Sequence, residues 1–380
     1  MSVVAVAIAV FFAALAAWVG ARALASGSRD EHLDAVASNL RKVHVHATSR
    51  VGGLAVAAGI VAGALVVFAA HAELRISWTV LILCVTPGFI WGLIEDLTKR
   101  GSVPVRLAIT AAAAALAFVL LDARITQLDV PGLDRLLVFP AFSFVFTVFA
   151  VTGVAHSFNV IDGLNGLAGI TALLGALGMA LIAWAVGDWF IVYVAAVLAG
   201  SVAGFLLVNF PRGRIFLGDG GAYLVGLVLA MLAVLLVQRN SEVSPWFPLV
   251  LLAFPIWETI FSMYRRRMRG QSPGQADALH LHTLVYRRVA RWKGYGARPA
   301  DYVTRNSIAS LMVWTLPLVS WIAAVALWQG TVRLQLAAAV FAALYVWLYR
   351  RIVRFGVPAW LLVTSRAEPA ADTEESDARA

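Results

Sequence analysis

Long apolar runs alternate with short polar segments along the whole of this chain. Many windows hold about 18 or more apolar residues, the length that crosses roughly 30 Å of hydrocarbon as a helix. The pattern predicts an all-α polytopic membrane protein of about eleven spans, at 2–22, 51–70, 77–94, 104–121, 137–157, 164–187, 189–208, 215–237, 245–264, 307–328 and 332–349. Ala23-Leu24-Ala25 after the first run resembles a signal-peptidase site. No basic residue precedes that run and Arg22 follows it, so it reads as an uncleaved helix entering from outside.

Composition agrees with the pattern, at 61% hydrophobic and 13% charged residues in 380. Charge then supplies an orientation. With the N-terminus outside and the C-terminus cytoplasmic, only Arg75, Arg124, Arg135, Arg239 and Arg333 of the 30 lysines and arginines lie outside, as the positive-inside rule requires. The net charge of +9 is thereby a basic inner rim facing anionic lipid head groups, and it calls for no nucleic acid. The single cysteine, Cys84, sits in an apolar run and says nothing of redox compartment. Residues 1–355 form one integral membrane domain, and the acidic, apolar-poor end of 356–380 reads as a disordered cytoplasmic tail.

The side that carries the cations also carries the unusual polar clusters: "LRKVHVHATSRVGG" (Leu40–Gly53), "GLIEDLTKRG" (Gly92–Gly101), "HSFNVIDGLNGLAG" (His156–Gly169), "NFPRGRIFLGDGG" (Asn209–Gly221) and "GQSPGQADALHLHTLVYRR" (Gly270–Arg288). The outer loops offer no such density, so the five clusters point to one site. Carboxylates and carboxamides at helix ends suit a hard divalent cation, and magnesium takes only one or two carboxylates, completing its shell with water and substrate phosphate. Lys42, Arg50 and the loop arginines add phosphate-neutralising charge, and the glycines beside the acids permit close backbone approach. The residues thus describe a metal-assisted phosphate site at the inner rim of a membrane bundle.

In order and topology, "RKVHVHATSRVGG", the acidic pair after span three, "NVIDGLNGLAG", "NFPRGRIFLGDGG" and "DALHLH" resemble the polyprenyl-phosphate N-acetylhexosamine-1-phosphate transferases. That family includes the lipid I translocase and the enzymes initiating O-antigen or teichoic-acid linkage synthesis. The motifs cover about residues 40–290. The resemblance implies a bacterial inner-membrane enzyme in which undecaprenyl phosphate attacks the β-phosphorus of a UDP-N-acetylhexosamine with Mg2+ (or Mn2+) and releases UMP at a cytoplasmic active site. It also implies roles. Asp219 matches the metal-binding aspartate, with Asn159 as a second metal ligand and a substrate-binding residue; Phe216 stacks on uracil, and Asn209 bonds near the nucleotide. Glu95 and Asp96 match the acidic pair that handles the lipid phosphate, with Asp162 as a further catalytic acid. Lys42, Arg50, Asn165, His280 and His282 fall to substrate binding.

Several positions depart from the family pattern. Glu95 replaces the usual first aspartate of the pair, Asn165 stands where many members have aspartate, and Thr283 stands where a further histidine is common. Asn159, Asp162 and Asn165, at i, i+3 and i+6, either share a helix face or cap a helix beginning near Gly163. Glu258 either joins the site or pairs with Arg265 or Arg266, and Pro255 loosens its helix. Two rival classes fit an acidic inner-rim site: a secondary transporter, which wants midplane charges and repeat symmetry, and a membrane prenyltransferase, which wants aspartate-rich repeats. The sequence leaves open the sugar, the polysaccharide pathway and the oligomeric state, a homodimer included.

Overall fold

The computed structural model describes residues 2–27, 48–270, 279–292 and 299–354. Every regular element among them is helical apart from a single bridge at Ser49. The helices are α1 (Val3–Gly27), α2 (Gly52–Ala70), α3 (Arg75–Thr98), α4 (Val103–Leu120), the short α5 (Leu133–Leu137), α6 (Pro140–Ile161) and α7 (Leu167–Ala185). They continue with α8 (Trp189–Asn209), α9 (Gly218–Arg239), α10 (Trp246–Leu251), α11 (Ala253–Met268), α12 (Leu281–Trp292), α13 (Pro299–Leu327) and α14 (Thr331–Val353). Among the described residues, ten helices are long and apolar enough to cross a membrane.

The count differs from the expected eleven at 245–264, where one span is replaced by α10 and α11, broken at Leu252 (φ −102°, ψ 22°). Proline chemistry explains where the break falls. Pro255 has no N–H to return to the preceding turn, and restarting the helix at Ala253 puts it in the first turn of α11, where no intrahelical donor is needed. The pair still carries the chain from one end of the bundle to the other. Ser244 at its start donates to the Trp328 carbonyl (3.1 Å), while Glu258 in α11 meets His280 at the opposite end.

The core is built around α9, buried along nearly its whole length and packed by α2, α3, α4, α6, α7 and α8. Such close approach needs small residues at the crossings. A Cβ on Gly92 of α3 would lie 2.5 Å from the Gly220 backbone, and one on Gly53 of α2 would lie 2.6 Å from the Gly221 Cα. Three helix backbones therefore meet at the start of α9. The N-terminus of α1 sits at the other end of the bundle, where the Tyr193 hydroxyl donates to the Ser2 carbonyl (3.2 Å) and lies 2.6 Å from His71 Nε2.

Candidate functional site

The start of α9 is held by two neighbours from distant sequence. The extended stretch before it pairs with the approach to α2: Phe216 N–H donates to the Ser49 carbonyl, and Gly52 and Gly53 donate to the carbonyls of Phe216 and Leu217, all at 2.9 Å. Gly218 then turns the chain with φ +76°, and any side chain there would run into the Arg50 carbonyl and the Asp96 carboxylate. The two Asp96 carboxylate oxygens accept the backbone N–H groups of Asp219 and Gly220, each at 2.9 Å. They occupy donors that a helix start leaves unpaired.

Asp219 lies in that first turn, and its Oδ1 accepts the Asn159 amide at 2.7 Å. Asp162, at the C-cap of α6, stands within electrostatic reach of Asp219, Asp96 and Arg50. Burial pushes its carboxyl up to about 7, the negative charges of Asp219 and Asp96 add to that rise, and Arg50 opposes it. Neither expectation for Asn159, Asp162 and Asn165, a common helix face or a cap on a helix beginning near Gly163, matches the structure, because α6 stops at Ile161 and α7 starts at Leu167. Asn159 is helical, Asp162 ends the helix, and Asn165 lies in the connecting turn.

The histidine motif comes to the same place from the far end of the chain. The fully buried Glu258 accepts from His280 Nδ1 (2.9 Å), the Leu281 N–H (3.2 Å) and the Tyr345 hydroxyl (2.5 Å). It fixes the imidazole as a carboxylate fixes a metal-ligating or catalytic histidine. His282 stacks on His280 with centroids 5.4 Å apart, and its Nε2 lies so close to Gly163 that a side chain there would overlap the ring. His282 is therefore a neighbour of the Asp162 turn. Arg265, a candidate partner of Glu258, lies over the rings of Phe261 and Tyr349.

Asn209 and Asn165 tie loops together. Asn209 accepts from the Gly166 N–H and donates to the Ile215 carbonyl, both at 2.6 Å. Asn165 donates to the Pro211 carbonyl (3.0 Å), and its own N–H and carbonyl engage Asn306 and Ser310 of α13. Glu95 turns away from Asp96: it is buried and pairs with Arg106 of α4, whose Nε is 2.7 Å from Oε1. Lys42 lies outside the described residues, as do residues 356–380. Arg106 and Tyr223, which lie outside the polar clusters of the sequence, and His156, which begins one of them, surround the same helix ends. A cation inside the predicted span 104–121 was the available signal for Arg106.

Among the described residues, no three histidine, cysteine or acidic side chains form a metal-holding group by themselves. Magnesium does not require one when substrate phosphates and water complete its shell. Asp219 with one oxygen on an amide, beside a carboxyl that burial and like charges hold partly protonated, is a donor set that a divalent cation relieves. Asn159 would present its carbonyl end to such an ion. The residues fit the metal.

Residues 78–237 match the family described as glycosyl transferase family 4, a stretch that contains Glu95, Asp96, Asn159, Asp162, Asn165, Asn209, Phe216 and Asp219. The chain is 28% identical over 250 residues to the probable undecaprenyl-phosphate N-acetylglucosaminyl 1-phosphate transferase of Bacillus subtilis (strain 168), covering 64% of this chain and 66% of the relative. It is 26% identical over 256 residues to the undecaprenyl-phosphate alpha-N-acetylglucosaminyl 1-phosphate transferase of Escherichia coli (strain K12), covering 66% of this chain and 68% of the relative. To the protein of the latter name from Thermotoga maritima it is 30% identical over 208 residues, covering 54% of this chain and 61% of the relative. The matches thus span about two thirds of these relatives' length or slightly less.

Proposed function

The chain belongs to glycosyl transferase family 4, and from that premise we propose that it transfers N-acetylhexosamine 1-phosphate from a UDP-sugar to undecaprenyl phosphate. An oxygen of the ionised acceptor phosphate bonds to the β-phosphorus while the bond to the α–β bridging oxygen breaks, and UMP leaves with that oxygen. Phosphoryl transfer of this kind leaves the protein chiefly positioning and charge stabilisation to supply. The observation that carries the reading is the hydrogen bond between Asn159 and Asp219 at the start of α9, with Asp162 and His282 gathered beside it from separate segments.

Asp219, with the Asn159 carbonyl, would hold Mg2+ (or Mn2+), which when bound supplies positive charge against the diphosphate. Arg50 and Lys42 add cationic charge, Phe216 offers its ring to uracil, and His282 with His280 faces the diphosphate or sugar. Asp96 positions the N–H groups of α9, and Asn165 and Asn209 hold the loops that frame the site. The distribution of lysine and arginine supports a site on the cytoplasmic face of a bacterial inner membrane, with the N-terminus outside. The lipid product suits the initiating step of a cell-envelope polysaccharide such as O-antigen.

The relatives' names make UDP-N-acetylglucosamine the first donor to try. The test is a panel of UDP-N-acetylhexosamines with undecaprenyl phosphate in membranes carrying the chain. At least one donor should yield UMP and a lipid-linked product in equal amounts, and chelation should abolish the reaction reversibly. Uptake without UMP would indicate a transporter, inorganic diphosphate release a prenyltransferase, and full activity in excess chelator would remove the metal.

A further inference from the structure

The last helix, α14, lies beyond residues 78–237 and outside the polar clusters of the sequence, yet it meets the histidine motif at three points. The Tyr345 hydroxyl donates to Glu258 Oε2 at 2.5 Å. The Tyr349 hydroxyl donates to the Leu279 carbonyl at 3.2 Å, just before the motif. Arg288, after it on α12, donates to the Ile352 carbonyl at 2.7 Å. The last two contacts brace one stretch of backbone against another helix. The first is different, because Glu258 in turn holds the side chain of His280.

Glu258 divides its two oxygens between opposite partners. Oε1 accepts from His280 Nδ1 (2.9 Å) and from the Leu281 N–H (3.2 Å), while Oε2 takes the Tyr345 hydroxyl. A carboxylate only accepts, so Nδ1 carries the imidazole proton. The terminal torsion of a glutamate is soft, and His280 and the Leu281 amide pull on one oxygen alone. Tyr345, on the other oxygen, fixes the carboxylate plane and takes a share of its charge. Both residues are fully buried, so bulk water does not compete for either bond. Packing holds the phenol in turn: the Phe261 ring of α11 stands edge-on to it, with centroids 5.5 Å apart. We infer that Tyr345 is a positioning residue of the reaction, acting through Glu258 to hold the His280 imidazole in one tautomer and one orientation toward the substrate. The part that His280 plays rests on the proposed transferase reading; the link from Tyr345 to His280 rests on the hydrogen bonds themselves.

Tyr345→Phe removes the hydroxyl and keeps the ring against Phe261. The link is read in the full chain with nitrogen-15 histidine, through the carbon-bound ring protons, whose correlations report which nitrogen of a neutral imidazole carries the proton. The signal absent from His280→Asn identifies His280. In the wild type it should show a protonated Nδ1, and in Tyr345→Phe it should move toward a mixture with protonated Nε2. Protonated Nε2 in the wild type, or the same shifts in both proteins, overturns the inference whatever the reaction. With the donor that the wild type uses, Tyr345→Phe should lower kcat about tenfold, leave both KM values within about twofold and leave the melting temperature within about 2 °C. Added to His280→Asn it should cost little more, since a residue that acts through another loses its effect once the second is gone. Additive losses in the double variant, or a lowered melting temperature with kcat unchanged, would make Tyr345 a structural brace and overturn the inference. If the shifts move as stated while no donor yields UMP with the wild-type chain, the link stands and the transferase reading alone falls.

Discussion

Asp219 sits where the partial positive charge of a helix start favours an anion, and one of its oxygens is fixed by an amide from another helix. Asp219→Asn keeps the shape and removes the charge that a cation needs. UMP release should fall about 10²-fold or more, with membrane insertion unchanged. Glu73→Gln, at an exposed carboxylate at the other end of the bundle, should leave the rate intact; equal rates in both variants would move the metal elsewhere. Asp162 carries a pH signature. Its folded value of about 7 lies above the ordinary 3.8, so the folded chain binds the proton more tightly than the unfolded chain does. Stability should fall as pH rises from about 4 to 7 and stay lower above that. Asp162→Asn should therefore raise the apparent melting temperature of metal-free protein by a few degrees at pH 8 and change nothing near pH 4. A cation that neutralises the same charges should narrow the difference at pH 8. The acids and histidines of the site were legible as residue types in polar clusters. That Asn165 and Asn209 bond to loop backbone was not, because an amide that braces a loop and one that faces a ligand read identically in sequence.

At the scale of elements, the site depends on how closely α3 approaches α9. Gly92→Ala places a methyl group against the Gly220 backbone, pushes the two helices apart and loosens the grip of Asp96 on the α9 N–H groups. The expected cost is about 1–3 kcal/mol, with activity lost along with folded yield. Gly153→Ala, where a Cβ meets nothing within 4 Å, should be neutral by both measures. The long apolar helices were readable because their runs match the bilayer. The break between α10 and α11 was only half readable: Pro255 announced a weakness, but the interruption falls at Leu252, where the proline best fits the following turn. The helix α12 lay in a stretch expected as loop. Its apolar positions Leu281, Val285 and Tyr286 are buried in the folded chain, a spacing masked in sequence by the surrounding charge.

Across the whole molecule, the start of α9 lies at one end of the bundle and Ser2, His71 and Tyr193 at the other. Cysteines placed at the exposed Arg100 and Arg212, in a Cys84→Ala background, should react only with reagent supplied from the cytoplasmic side; those at Glu73 and Arg135 should react only from outside. The reverse pattern would invert the proposed orientation. In the proposed reaction a sugar phosphate, and not a bare sugar, moves onto the lipid. The most direct test follows the β-phosphate of UDP-N-acetylglucosamine, labelled with phosphorus-32, in purified protein with undecaprenyl phosphate and magnesium. The label should enter the lipid fraction mole for mole with the UMP formed. Label retained in UDP while the sugar reaches the lipid would contradict it.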